Sequence, residues 1–207
     1  MKTVKLTTPL SLEDVSCLEL GDFVYFSGPI FTCRGLFQKR IIDEKIPPPL
    51  DTKKINVMVH VGPIVKKVNE DWEVVSMQPT TSNRYEKWGP RIIEQLGLRA
   101  IIGKGTMGPA TAEAMKKFGC VHLTTVGILG AMNALTVKVK ELHWYELGPI
   151  EATWMLEAKD FGPYLVDIDA KGNRYFEYLD KIVDAKRKEI YKKLGIPEDF
   201  EYATLTF

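Results

Sequence analysis

The sequence predicts an α/β domain organised around a parallel sheet. Three observations lead to that class. Residues 88–126 alternate helix, strand, helix and strand at short spacing; a strand, a helix and a second strand in succession return through a right-handed crossover that leaves the strands parallel. The run 55–61 (INVMVHV) is rich in apolar and β-branched residues, as a buried strand requires. With 207 residues, 45% of them apolar, folding can bury roughly 70% of the unfolded surface, enough for one core without disulfide or metal support.

From the start of the chain, residues 3–7 alternate as a first strand, and Ser11 with Asp14 forms a helix-start box ahead of Val15 and Leu18. Residues 23–26 read as a buried strand ended by the breaker cluster Ser27-Gly28-Pro29. Residues 33–44 place Leu36, Phe37, Arg40 and Ile41 at helical spacing, and 46–50 (IPPPL) form an extended surface connector because they cannot continue a helix. The strand at 55–61 is followed by a shorter one at 72–77 and then by the polar segment Gln78-Pro79-Thr80-Thr81-Ser82-Asn83-Arg84. A helix at 88–98 opens with Pro90 and closes near Gly97; a strand at 100–102 ends in Gly103-Lys104-Gly105; a helix at Pro109–Phe118 has Pro in its first turn and Gly119 just past its end. A strand at 121–126, a short helix at 127–135 and an alternating strand at 136–144 come next. Segments 164–169 and 174–176 flank Lys171-Gly172-Asn173, a hairpin signal. The final helix, 177–194, sets Leu179, Ile182, Val183 and Ile190 on one side and the pairs Glu177/Lys181 and Asp184/Lys188 on the other. Its Lys/Arg run is a solvated face in preference to a nucleic-acid contact, and the tail 199–207 is either a docking strand or a frayed end. No internal repeat divides the chain, so 1–207 is expected to form a single domain.

Composition removes several functions. Lys and Arg number 28 against 27 Asp and Glu, a net charge of +1, with a pI near 7.7. Duplex binding needs a concentrated basic face to displace counterions, and this balance does not supply one. The three cysteines, Cys17, Cys33 and Cys120, are too scattered for a disulfide framework or a CxxC site. No apolar h-region opens the chain, and no stretch approaches the ~18 consecutive apolar residues of a membrane span. A soluble protein of the reducing cytoplasm is expected.

Chemistry is expected in three loops that follow strands, where open α/β domains build their sites. Arg34 follows 23–26, Thr80 to Arg84 follow 72–77, and Lys104 follows 100–102. An arginine fork donates two parallel hydrogen bonds to a carboxylate or phosphate, and lysine adds a compact charge. Three hydroxyls followed by Asn83 and Arg84 crowd donors into one turn. Together these loops describe a pocket for a small anion. Gly103-Lys104-Gly105-Thr106 is not a nucleotide phosphate loop, because the GxxxxGK[ST] spacing is missing. His60 and His122 sit inside apolar strands as structural, hydrogen-bonded histidines, and with His143 they offer no HxH or HxxxH metal pair.

The motifs Ser27-Gly28-Pro29-Ile30-Phe31-Thr32-Cys33-Arg34, Val61-Gly62-Pro63, Pro79 to Arg84, Ile102 to Gly105, Glu146-Leu147-Gly148-Pro149 and Asp169-Ala170-Lys171-Gly172-Asn173 occur in order across nearly the whole chain. In these the sequence resembles the β subunit of class I iron–sulfur fumarate hydratases and L-tartrate dehydratases. That resemblance implies a swivelling β/β/α three-layer domain with a central parallel sheet. It implies a partner α subunit, which holds a [4Fe–4S] cluster through three cysteines, in an α2β2 heterotetramer. It also implies a substrate-binding set, Arg34, Thr80, Thr81, Ser82, Arg84 and Lys104: the three cations hold carboxylate, Thr80 stands at the carbon that loses its proton as part of the base, and Thr81 and Ser82 shape the loop. Asn83 stands where the family commonly has Gly; Asn tolerates the left-handed conformation, so the loop can survive the change. After Arg34 the acidic residue and His common in relatives are replaced by Gly35-Leu36-Phe37-Gln38-Lys39. The expected function is therefore half of a hydro-lyase that interconverts (S)-malate and fumarate. L-tartrate dehydration to oxaloacetate is the alternative within the class, and a stand-alone anion-binding domain the alternative outside it.

Overall fold

The computed structural model describes residues 1–127, 130–197 and 199–200. They fall into two compact units, Met1–Arg174 and Tyr175–Phe207. The first unit begins with β1 (Thr3–Thr7) and α1 (Leu12–Ser16). The expected helix-start box is present: Ser11 Oγ accepts from the Asp14 amide at 3.1 Å, and the Asp14 carboxylate accepts from the Ser11 amide at 2.7 Å. Then come β2 (Phe23–Cys33), α2 (Gly35–Ile42), β3 (Val57–His60), the hairpin β4 (Ile64–Val68) and β5 (Asp71–Ser76), a 3-10 turn at Ser82–Tyr85, and α3 (Gly89–Leu96). They are followed by β6 (Ala100–Gly103), α4 (Pro109–Phe118), β7 (Val121–Thr125), α5 (Gly130–Leu135), β8 (Val137–His143) and β9 (Thr153–Ile168). Gly97 and Gly119 close α3 and α4 in the left-handed conformation, at φ of 60° and 69°.

The architecture is mixed α/β with a mostly parallel central sheet in the order β1-β2-β3-β6-β7-β9-β8. β1, β2, β3, β6 and β7 pair parallel, and β9 runs antiparallel to both β7 and β2. Because β9 joins both, the pairings close into a ring, β2-β3-β6-β7-β9, and β3, β6 and β7 are buried on both faces. Val57, Val59, Ala100, Ile102, Val121 and Leu123 face one apolar cluster with Trp154, Phe161 and Tyr164. Met58 and Ile101 face a second, formed with Phe37 and Ile41 of α2, Ile92, Ile93 and Leu96 of α3, and Met115 of α4. A parallel strand covered on both sides has no solvent face, which is why INVMVHV reads as a nearly continuous apolar run.

Several expected boundaries are corrected. The first buried strand does not stop at the Ser27-Gly28-Pro29 cluster but continues to Cys33, because β9 pairs with it from Phe23↔Leu165 to Phe31↔Met155. Gly28, at φ of 103°, absorbs the irregularity, and a Cβ there would lie 2.7 Å from Thr8 Oγ1. The strand β4 was not expected from the sequence: Lys66 and Lys67 at its centre interrupt the alternation of Ile64, Val65 and Val68. Residues 164–168 end the sixteen-residue β9, and only Arg174 bridges back, to Ile168. The turn between them is held by Asp169, whose carboxylate accepts from the amides of Lys171 and Asn173, both at 2.9 Å. In the second unit, α6 (Tyr175–Leu194) starts two residues earlier than expected and carries Asp184–Arg187 and Glu189–Lys193 pairs. Of the short helix expected at 127–135, residues 128–129 lie outside the described residues, as do 201–207 of the tail.

Candidate active site

The parallel strands β2, β3 and β6 end on the same edge of the sheet. Cys33 pairs with His60, and Val59 with Ile102, so one residue further Arg34, Val61 and Lys104 lie side by side. Neighbouring strands stand ~4.8 Å apart, which puts the Arg34 and Lys104 backbones about 10 Å from each other across this edge. The polar segment after β5 returns to the same place. Thr80 N–H donates to His60 O at 2.7 Å, Lys104 N–H to Thr80 O at 3.1 Å, and Ser82 N–H to Lys104 O at 3.0 Å. Thr81 and Lys104 form an isolated parallel bridge. Residues 80–82 thus extend the sheet past the end of β6, and the three loops singled out in the sequence meet on one edge.

The side chains divide between outward and inward. Arg84 and Lys104 are exposed, and Thr80 and Thr81 are partly so. Arg84 Nη2 donates to Thr80 Oγ1 at 2.7 Å. A guanidinium aimed at this oxygen favours negative charge on it. Arg34 caps the start of α2 and is drawn to Glu151, with Nε 3.3 Å from Oε1, in a geometry that leaves Nε without a hydrogen bond. Glu151 is anchored by the Leu36 amide at 2.9 Å. The other side of Arg34 lies against Tyr85, whose phenol burial pushes up against the pull of the guanidinium. Gly62 admits this packing: a Cβ there would meet Arg34 Cδ at 3.0 Å and Ile150 Cγ2 at 2.5 Å. Glu86, two residues after Arg84, accepts from Gly108 N at 2.6 Å, Thr111 N at 3.1 Å and Thr111 Oγ1 at 2.7 Å, fastening the turn to the start of α4.

Ser82 turns the other way. Its hydroxyl is fully buried, 3.0 Å from His60 Nδ1 and 2.9 Å from His122 Nε2. Gln38 Nε2 lies 3.4 Å from His60 Nε2, and Asp167 Oδ1 lies 2.5 Å from His122 Nδ1. His60 and His122 are the structural, hydrogen-bonded histidines expected from the sequence. Their bond to the candidate loop was not foreseen, nor were Glu151, Gln38 and Asp167. The available signal was a polar residue in each otherwise apolar strand: His60 in VMVH, His122 in VHL, Asp167 in LVDI.

The thiols of this chain do not fit an iron–sulfur cluster. Cys33 and Cys120 are buried and Cys17 is exposed. Burial, with the Glu151 charge second, pushes the Cys33 thiol well above its usual range, and burial pushes Cys120 up to about 12, so neither favours the thiolate that ligates iron. Among the described residues no group of three or more His, Cys, Asp or Glu side chains is arranged to hold a metal ion. Nor is any described helix long and apolar enough to cross a membrane.

Comparison with known proteins agrees with the motif pattern. The L(+)-tartrate dehydratase subunit beta of Escherichia coli strain K12 is 38% identical over 190 residues, 91% of this chain and 94% of its own length. A "Putative L(+)-tartrate dehydratase subunit beta" of Methanocaldococcus jannaschii is 37% identical over 188 residues, 87% of this chain and 95% of its own. A "Putative fumarate hydratase class I" of Geobacillus stearothermophilus is 34% identical over 182 residues, which are 87% of this chain and 35% of that longer protein. The family described as Fumarase C-terminus matches residues 1–179, a span that holds every residue of the strand-end site, and the chain belongs to that family.

Proposed function

We propose that this chain is the β subunit of a two-subunit hydro-lyase that interconverts (S)-malate and fumarate, supplying the carboxylate-binding and proton-transfer half of the active site. The carrying observation is the convergence of Arg34, Arg84 and Lys104 on one strand edge, with Arg84 hydrogen-bonded to Thr80 Oγ1. Dehydrating a 2-hydroxy dicarboxylate removes a weakly acidic C–H beside a carboxylate, and cations fixed on that carboxylate stabilise the charge that builds up on it. They also hold a small, flexible substrate near its reactive geometry. Thr80 receives the proton as its alkoxide, its own hydroxyl proton having first passed to a basic group of the partner. A neutral threonine is a weak base, and the Arg84 N–H on its oxygen stabilises that alkoxide.

The half-site character follows from exposure. Small-molecule sites bury most of their ligand, whereas Arg84 and Lys104 face solvent. Two grooves, of about 500 Å³ between α3 and α4 and about 590 Å³ beside β8, contain none of these residues. This exposure supports a reading in which a second protein surface covers the edge. We assign that role to an α subunit, which also holds the [4Fe–4S] cluster that activates the leaving hydroxyl, in a cytoplasmic α2β2 heterotetramer whose β chain is a single swivelling β/β/α domain. The names of the Escherichia coli and Methanocaldococcus relatives favour a second reading, L-tartrate to oxaloacetate, which differs by one substrate hydroxyl.

Anaerobic reassembly with the α subunit tests both. This chain alone is expected to show no hydratase activity, and the assembly is expected to turn over malate and fumarate. Turnover of L-tartrate in their place selects the second reading, and turnover by this chain alone refutes the division of labour.

A further inference from the structure

Outside the substrate-facing edge, the most unusual feature is a chain of five buried polar side chains from four strands and loops and one helix. Gln38 comes from α2, His60 from β3, Ser82 from the turn after β5, His122 from β7 and Asp167 from β9. All five are at most 1% exposed. Their donors and acceptors fit one direction. A carboxylate only accepts, so His122 Nδ1 carries the hydrogen bonded to Asp167, and in a neutral ring its Nε2 accepts. Ser82 therefore donates to His122 Nε2, which leaves its oxygen to accept from His60 Nδ1–H. His60 Nε2 then accepts from the Gln38 amide. Burial, with the neighbouring His122 second, holds His60 well below its usual range, in keeping with a neutral ring that uses one nitrogen each way.

The residues are those of a nucleophilic triad, but the arrangement cannot act as one. Ser82 is fully buried, and its oxygen is occupied on both sides by imidazoles. Nor is the chain a stability device: Gln38 Oε1 and Asp167 Oδ2 are buried without hydrogen-bond partners, and an apolar core of the same shape would avoid that cost. What these five groups share is Ser82, which lies between Thr80 and Arg84. Gly103 leaves it the space, since a Cβ there would fall 1.7 Å from Ser82 Oγ.

We propose that Ser82, gripped by His60 and His122 and through them by Gln38 and Asp167, is a positioning residue that sets the Thr80 hydroxyl and the Arg84 guanidinium on the outer face of the same turn. The proposal rests on the reading of that turn as substrate-facing. The pinned hydroxyl fixes the backbone at 82, and the bonds of Thr80 N–H to His60 O and Ser82 N–H to Lys104 O carry that register to either side. Thr80 then points outward with the order of the core, not with that of a surface loop.

Amide hydrogen exchange on the full chain tests this directly. In Ser82→Ala the amides of Thr80 and Ser82 are expected to exchange about tenfold faster, while those of Met58, Ile101 and Leu123 change less than about twofold. In the enzyme reassembled with its α subunit, the same variant is expected to lower kcat about tenfold and to raise KM less than about threefold, because three cations share binding while Thr80 alone meets the C–H. Asp167→Asn, whose amide oxygen still accepts from His122 Nδ1–H, should retain most of both properties. Faster exchange spread evenly over the strands, unchanged exchange at Thr80 and Ser82, or an intact kcat in Ser82→Ala overturns the proposal. Exchange is read on this chain alone, so an assembly inactive on malate, fumarate and tartrate would refute the functional reading without altering the exchange result.

Discussion

The turn from Thr80 to Arg84 has two faces that obey different physics. Outward, Thr80 and Arg84 stand beside exposed Lys104, and the Arg84 guanidinium is held by the Thr80 hydroxyl. Inward, Ser82 is enclosed by two imidazoles, a carboxylate and an amide with no water contact. A charge on the outer face contributes little to folding, because exposed ion pairs are worth at most about 1 kcal/mol. A hydroxyl on the inner face cannot be removed without stranding buried donors and acceptors. Under the proposed function, residues two positions apart thus divide into those that meet the substrate and those that hold them in place.

The largest expected effect breaks the outer face alone. In the assembled enzyme, Arg84→Ala or Lys104→Ala should lower kcat/KM by about 10²- to 10³-fold, as removal of a charge-stabilising donor does, with the melting temperature unchanged. Steady-state kinetics beside thermal unfolding checks this; equal losses in both measurements would erase the distinction between the faces. Next in size is Gly103→Ala, which strikes the inner face. Its new Cβ collides with Ser82 Oγ and lies 3.1 Å from His122 Nε2, so stability should fall by about 1–3 kcal/mol, read from urea unfolding, with turnover falling as well.

A pH experiment sharpens the comparison without mutation. Burial keeps the His60 imidazole well below its usual range, so the unfolded chain takes up a proton near pH 6.5 that the folded chain refuses. This contribution is fully present above about pH 6.5 and is lost as pH falls below it, with a slope of up to about 1.4 kcal/mol per pH unit. Urea midpoints measured from about pH 7.5 down to about pH 5 should decline accordingly, and less steeply in His60→Gln. The smallest effect concerns the mount of the turn. Glu86→Gln weakens the bonds to Gly108 and Thr111 at the start of α4 and should cost about 1 kcal/mol in thermal unfolding.

Local chemistry made much of this legible in the sequence. Pro109 and Gly119 bound α4 as expected, because a proline in the first turn and a left-handed glycine past the end need no tertiary help. The edge cations Arg34, Arg84 and Lys104 were visible because each follows a strand. Contacts distant in sequence were not legible. β2 runs through a Ser-Gly-Pro cluster only because β9, more than 120 residues later, pairs along it. The inward turn of Ser82 depends on His60, His122 and Asp167, which meet across separations of 22, 40 and 45 residues. Glu151, which draws Arg34 to one side, belongs to the same class: one carboxylate in a surface loop, given meaning only by the arginine that folding brings beside it.

The claim that this chain supplies the proton-transfer group is tested most directly by solvent-deuterium exchange at the carbon acid of (S)-malate in the assembled enzyme, comparing wild type with Thr80→Val. The account predicts that the variant keeps its melting temperature and binds substrate, yet exchanges that hydrogen about 10²-fold more slowly. Exchange at the wild-type rate in Thr80→Val would contradict it.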